Sequence, residues 1–293
     1  MSVPEPTTDT DPADDGGEGT VVAEVPEAAR IERPPRLLGG VPAREEEPIG
    51  RHLPLRTGGT FELWVEVDDE AALLAVVKAA RAEKLALRPL PPFCDAMPPE
   101  GGLTGVGLRL GAGFEFIRDA DEGLWVGAAT PLALLGLRTG FAAYARAPGT
   151  LADAWEDGWI LPAVVRLRRF RSRSIEDIEV TAGMAPDAKS LVVAALLRPG
   201  VKLHPPPVGR AFRDHKRRNL PALPELLRNL GLGGLRLGGA ILAEEDPTVL
   251  ANRGDGSARQ LRLLLQAVRE RVHTASGLEL EDRMAAPGRG GKL

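Results

Sequence analysis

The chain has 293 residues, 43% of them apolar, with 41 acidic and 37 basic side chains and a net charge of −4. That is material for the cores of two ordinary domains, and it excludes a globally basic binder of nucleic acid or anionic lipid. A single cysteine, Cys94, rules out an intrachain disulfide and a cysteine-based zinc site, and His52, His204, His215 and His273 show no metal-ligand spacing.

The first 48 residues differ from the rest. Glu5, Asp9, Asp11, Asp14, Asp15, Glu18, Glu24 and Glu27 all precede the first basic residue, Arg30, with Pro, Gly and Thr between them. Such a stretch buries too little apolar surface to offset its ordering entropy, so residues 1–48 are expected to be an acidic, Pro-rich disordered tail. The part from Arg30 to Glu47 is mixed in charge and suited to lying against the fold. Order is expected from about Gly50. Phe61, Leu63, Val65 and Val67 alternate with Glu62, Trp64 and Glu66, which predicts a strand. Asp68 or Asp69 then caps a helix whose apolar positions are Leu73, Leu74, Val77 and Ala80. A second strand is expected at Leu85 to Leu90, completing a right-handed crossover.

Further strands are predicted at Val106 to Leu110 and Leu124 to Ala128, with a short helix from Pro131 to Arg138. After Gly149 strands dominate, at Ala163 to Phe170, Ile175 to Thr181 and Leu191 to Arg198. Pro199 and Gly200 end the last, and a domain boundary is placed there. A basic, Pro-rich connector, Lys202 to Arg218, leads to a helix over Leu223 to Leu230, strands at Arg236 to Leu242 and Val249 to Asn252, and a long amphipathic helix from Ser257 to Ser276 with Gly277 as its C-terminal stop. Residues 287–293 read as a flexible end. No apolar run reaches the ~18 residues of a membrane span, and no basic-then-apolar leader opens the sequence, so a cytoplasmic protein without membrane insertion is expected.

Several motifs, in order, resemble one family. Arg56-Thr57-Gly58-Gly59 runs directly into the first strand and helix. Leu124-Trp125-Val126-Gly127-Ala128, Ala147-Pro148-Gly149-Thr150, Leu237-Gly238-Gly239-Ala240, Asn252-Arg253-Gly254 and Gly277-Leu278-Glu279-Leu280-Glu281 follow. Together they resemble UDP-N-acetylenolpyruvoylglucosamine reductase, also called UDP-N-acetylmuramate dehydrogenase. The resemblance spans residues 50 to 285. It implies a mixed α+β fold: an FAD-binding domain of the PCMH type, made of two subdomains, over residues 49–200, and a smaller α/β nucleotide-sugar domain over 201–286. It further implies NADPH-dependent reduction of an enolpyruvyl group through FAD, for peptidoglycan precursor synthesis, by a monomer. Transferred by position, Arg56, Thr57, Gly58, Pro148, Gly149 and Thr150 become the cofactor-binding candidates. Arg210, Arg213 and Asn252 become the substrate-binding candidates.

The chain departs from the family where the chemistry belongs. The glycine-rich flavin turn is replaced by Leu90-Pro91-Pro92-Phe93-Cys94-Asp95-Ala96-Met97, in which prolines remove N–H donors and Asp95 opposes a diphosphate. A loop rich in glycine becomes the acidic Leu151 to Trp159, whose Trp155 and Trp159 either cover the groove or only pack. The family's Tyr-Arg pair falls on Ala182 to Asp187, its acidic Ser on Arg210, and its last carboxylate on Arg283. Arginine stays protonated and supplies no useful acid near neutral pH. No catalytic residue is therefore assigned, no metal site is expected, and FAD is expected only if the altered site still works.

Two basic clusters remain. Arg166, Arg168, Arg169, Arg171 and Arg173 read as a solvated face balanced by Glu176, Asp177 and Glu179, or as a surface for an acidic partner. The Arg210, Arg213, Lys216, Arg217, Arg218 group suits phosphate. Three functions stay open: a non-catalytic relative that binds a UDP-sugar or a protein, an active FAD/NADPH-dependent dehydrogenase with a rearranged site, and a structural module whose cleft is filled by side chains.

Overall fold

A computed structural model describes residues 35–90, 97–139, 141, 144–145, 147, 149–156, 158–181, 184–187, 189–203 and 209–284. The expectations for residues 1–34, for the turn with Phe93, Cys94 and Asp95, for Pro148, for His204 and for residues 287–293 fall outside these.

The first sheet opens earlier than the composition predicts. Strands β1 (Arg36–Leu38) and β2 (Val41–Pro48) form a hairpin inside the span read as tail. Leu38 and Ala43 are buried against the core, and this anchors a segment that also carries Arg36, Arg44, Glu45, Glu46 and Glu47. The tail boundary at 48 is thus corrected: ordered chain is present by Arg36. A short helical turn, Ile49–His52, leads to β3 (Thr60–Val67), which alternates as predicted. Helix α1 (Glu70–Ala82) starts at Asp69, whose carboxylate accepts from the Ala72 amide at 2.7 Å. Its Leu73, Val76, Val77 and Ala80 face the sheet. Strands β4 (Leu87–Pro89) and β5 (Leu103–Leu110) complete the order β1-β2-β3-β5-β4, in which β3, β5 and β4 run parallel.

The second sheet is antiparallel, in the order β6-β7-β10-β8-β9. Its strands are β6 (Ile117–Ala120), β7 (Gly123–Gly127), β8 (Val164–Arg171), β9 (Ser174–Glu179) and β10 (Ser190–Leu197). The central β10 is Val, Ala and Leu throughout and buried on both faces, as a strand between two layers must be. Helices α2 (Leu132–Thr139) and α3 (Leu151–Glu156) pack on it. The stretch read as an acidic loop therefore begins with a helical turn and a half, because Leu151, Ala152, Ala154 and Trp155 supply a buried face. Phe170, Leu191 and Val193 of this sheet join Leu63, Val65 and Leu108 of the first in one core.

The last part holds α4 (Leu223–Asn229), a three-stranded sheet of β11 (Arg236–Leu237), β12 (Ala240–Leu242) and β13 (Leu250–Asn252), and α5 (Ala258–Ser276). The single strand predicted over Arg236 to Leu242 is a tight hairpin turning at Gly238-Gly239. Helix α5 carries a capping box between Ser257 and Gln260, and Gly277 closes it at φ 64°. Leu261, Leu264, Leu265, Val268 and Val272 bury its apolar face against α4 and the small sheet. Among the described residues no helix is long and apolar enough to cross a membrane.

Candidate functional site

The Arg56-Thr57-Gly58-Gly59 turn lies where β3 begins. Its glycines are demanded by backbone packing. A Cβ on Gly59 would stand 2.3 Å from the Gly102 nitrogen and 2.4 Å from the Glu100 oxygen. At Gly58, where φ is +110°, it would stand 2.3 Å from the Pro98 ring. Arg56 also takes a left-handed φ of 49°, and its side chain is exposed. Thr57 is buried at 5% exposure, with its Oγ1 unpartnered. The turn is thus pressed onto the segment Met97 to Gly102, which the C-terminal domain holds from the other side. The Arg259 amide donates to the Glu100 carboxylate at 2.9 Å, and this contact lowers the Glu100 pKa. The Arg262 guanidinium donates to the Pro98 carbonyl.

Asn252 belongs to the same clamp. Its Nδ2 donates to the Leu55 carbonyl at 2.7 Å and to that of Gly256 at 2.9 Å, while its Oδ1 accepts from the amides of Gly254 and Gly256. Both donors and the acceptor are committed to backbone, so the side chain ties the last domain to the Arg56 turn and has no donor left for a ligand.

The second candidate turn is equally committed. Gly149 has φ +99°, and Thr150 pairs with Pro131. The Thr150 amide and hydroxyl both donate to one Asp153 oxygen, each at 2.7 Å. Asp153, three residues on, thus supplies the carboxylate half of a capping box at the start of α3. The two donors that would meet a phosphate already hold a carboxylate, and its charge opposes a second anion. Sequence inspection noted that this loop is acidic but missed Asp153; a Thr followed three residues later by an acid is the signal that identifies it.

Between the sheets, Leu90, Leu108, Leu110, Ala128, Ala129, Ala152 and Leu191 line a small apolar cavity of about 20 Å³. That is room for about one water, against the ~300–1,000 Å³ of ordinary ligand sites.

The positions of the expected proton donor and carboxylate do come together. Residues 209–213 run between two extended segments. Arg210 bridges to Val249 on one side and Phe212 to Asp282 on the other, and the Arg283 amide donates to the Ala211 carbonyl. Both positions carry arginine. The Arg210 guanidinium lies 3.3 Å from Asp214 and 3.7 Å from Asp246, and that of Arg283 lies 5.5 Å from the centre of the Trp159 ring. Trp159 therefore pairs with Arg283, while Trp155 is core. Arg213 is exposed, with no carboxylate within 4 Å among the described residues. No cluster of His, Cys, Asp or Glu able to hold a metal is found among those residues.

Comparison with known proteins decides the ancestry. The family model described as UDP-N-acetylenolpyruvoylglucosamine reductase, C-terminal domain, matches residues 201–285. A UDP-N-acetylenolpyruvoylglucosamine reductase of Anaeromyxobacter sp. (strain Fw109-5) is 28% identical over 302 residues, covering 89% of this chain and 92% of the relative. One from Heliobacterium modesticaldum is 25% identical, covering 84% and 91%. Residues 201–285 match this family's C-terminal domain, and most of the chain is similar to these reductases. The crystal structure of the reductase from Thermus caldophilus superposes with a TM-score of 0.63 at 20% identity, covering 84% of this chain and 98% of that one. The mixed α+β architecture expected from the motifs is thus the reductase fold, and its persistence contrasts with the altered residues at the cofactor and reaction positions.

Proposed function

We propose that this protein is a reductase-family member that does not run the flavin reaction and acts as a binding or regulatory protein in peptidoglycan precursor synthesis, with a UDP-sugar or a protein as its partner. The observation that carries the reading is the committed cofactor turn: Thr150 spends its amide and hydroxyl on Asp153. The cavity of about 20 Å³ between the sheets and the two arginines at the acid and carboxylate positions agree with it. A cationic pair neither donates a proton usefully at neutral pH nor accepts one.

Within this reading residues 201–286 form the ligand-facing domain. Of the three substrate candidates, Arg213 has no carboxylate within 4 Å among the described residues and is the one offered to a diphosphate. Arg210 is shared between two carboxylates, and Asn252 serves as a clamp. Arg56, Thr57 and Gly58 act as the structural turn beneath that clamp.

The visible spectrum of the purified full chain tests the first half of the proposal, before and after incubation with excess FAD and desalting. No retained flavin bands are expected. Stoichiometric retained flavin, with NADPH oxidation dependent on the enolpyruvyl substrate, would replace this reading with that of an active dehydrogenase with a rearranged site. Calorimetric titration with UDP-N-acetylmuramate tests the second half: binding that weakens in Arg213→Ala supports the nucleotide-sugar role, and its absence directs the role to a protein partner.

A further inference from the structure

At the end of the second sheet, away from the inter-sheet cavity, a groove of about 470 Å³ opens between the starts of β8 and the ends of β9 and β10. Leu161, Pro162, Val164, Val180 and Met184 give it apolar walls. Among the described residues Arg198, the residue after β10, is the charged side chain of this lining, and the adjoining groove that shares it also carries Glu122, Arg166 and Glu179. The Arg198 backbone is pinned, since its amide donates to the Ala163 carbonyl at 2.8 Å, but its side chain is exposed.

The four arginines of β8 are paired with carboxylates. Arg166 lies 3.5 Å from Glu122, Arg168 3.2 Å from Asp177, Arg169 2.8 Å from Glu176 and Arg171 3.4 Å from Asp187. Among the described residues no carboxylate lies within 4 Å of Arg198. An exposed guanidinium beside an apolar wall matches a molecule with an apolar body and one anionic group, because a planar fork donates two parallel hydrogen bonds to a carboxylate or sulfonate. The volume lies within the ordinary range of ligand sites, ~300–1,000 Å³.

We propose that this groove is a binding site for a small amphiphilic anion, with Arg198 holding the anionic group and Val180, Met184 and Leu161 its apolar body. The site is separate from the cofactor and substrate positions and stands whether or not the protein binds flavin.

The test is a fluorescence titration of the full chain with 8-anilino-1-naphthalenesulfonate, an aromatic body bearing one sulfonate, beside its neutral analogue N-phenyl-1-naphthylamine. One saturable site is expected for the sulfonate, with affinity roughly tenfold weaker in Arg198→Gln and only partly restored in Arg198→Lys, which keeps the charge but not the fork. Thr181→Trp, a change at an exposed rim position that fills the groove, should abolish binding while leaving the unfolding transition in place. Equal affinity for the neutral analogue, an unchanged Arg198→Gln variant, or undiminished binding in Thr181→Trp would each overturn the proposal.

Discussion

Replacing Asn252 with Ala tests whether this side chain is a clamp or a ligand contact. Its amide serves four backbone groups: the carbonyls of Leu55 and Gly256 and the amides of Gly254 and Gly256. Gly254 is exposed, so water replaces that partner. Leu55 and Gly256 are buried, which strands three backbone groups. At roughly 1 kcal/mol for each stranded group, Asn252→Ala should cost about 3 kcal/mol of stability. Asn252→Asp keeps the two acceptor contacts but sets a carboxylate against two carbonyl oxygens, so it should rescue little. Urea unfolding followed by tryptophan fluorescence measures both, with the slope checked against the parent to keep the comparison two-state. A loss below about 1 kcal/mol in Asn252→Ala, accompanied by weakened UDP-N-acetylmuramate binding, would refute the clamp and return Asn252 to the ligand site.

Two further outcomes follow from the same turn and its neighbourhood. Gly59→Ala should prevent soluble folding or cost roughly 3 kcal/mol or more, because its Cβ would meet the Gly102 backbone, whereas Gly101→Ala, whose Cβ meets nothing within 4 Å, should be nearly neutral in thermal unfolding. His52 stacks on Trp64 at 3.9 Å, touches Glu47 at 2.9 Å and lies near Arg44 and Arg109. Burial holds its pKa below the usual 6.5, with the two arginines adding to the depression and Glu47 partly opposing it. The unfolded chain then binds the proton first, so stability contributed by neutral His52 is complete above about pH 6.5 and declines as pH falls below it. His52→Gln should remove that decline, so the stability gap between parent and variant narrows from about pH 7.5 to about pH 5.5; a constant or widening gap contradicts the assignment.

The stop and start chemistry of the helices was legible in sequence. Asp69 before α1 and Ser257 and Gly277 around α5 act locally, within a turn of the residues they cap. The strand alternation at Phe61 to Val67 was equally plain, since one face meets a core and the other does not. The hairpin β1–β2 was not, because a run of charged residues, Arg44 to Glu47, interrupts it and the buried side formed by Leu38 and Ala43 shows only once α1 is packed over them. Helix α3 was hidden for a related reason: Leu151 to Glu156 is too short to show a period by itself.

For the site, sequence alone determined which groups stand at the positions that the resemblance singles out. Arginine at positions 210 and 283 and prolines at 91 and 92 exclude proton donors and N–H groups wherever the chain places them. Tertiary structure decided what the retained motif residues do instead. Gly58 and Gly59 match a cofactor motif in sequence, yet their missing Cβ atoms are required by Pro98 and Gly102, some forty residues away. Asn252 clamps Leu55 across 197 residues of chain, and Thr150 gives its donors to its own helix. A motif names the groups a chain can offer, whereas the use of each hydrogen-bonding atom depends on which distant backbone reaches it first.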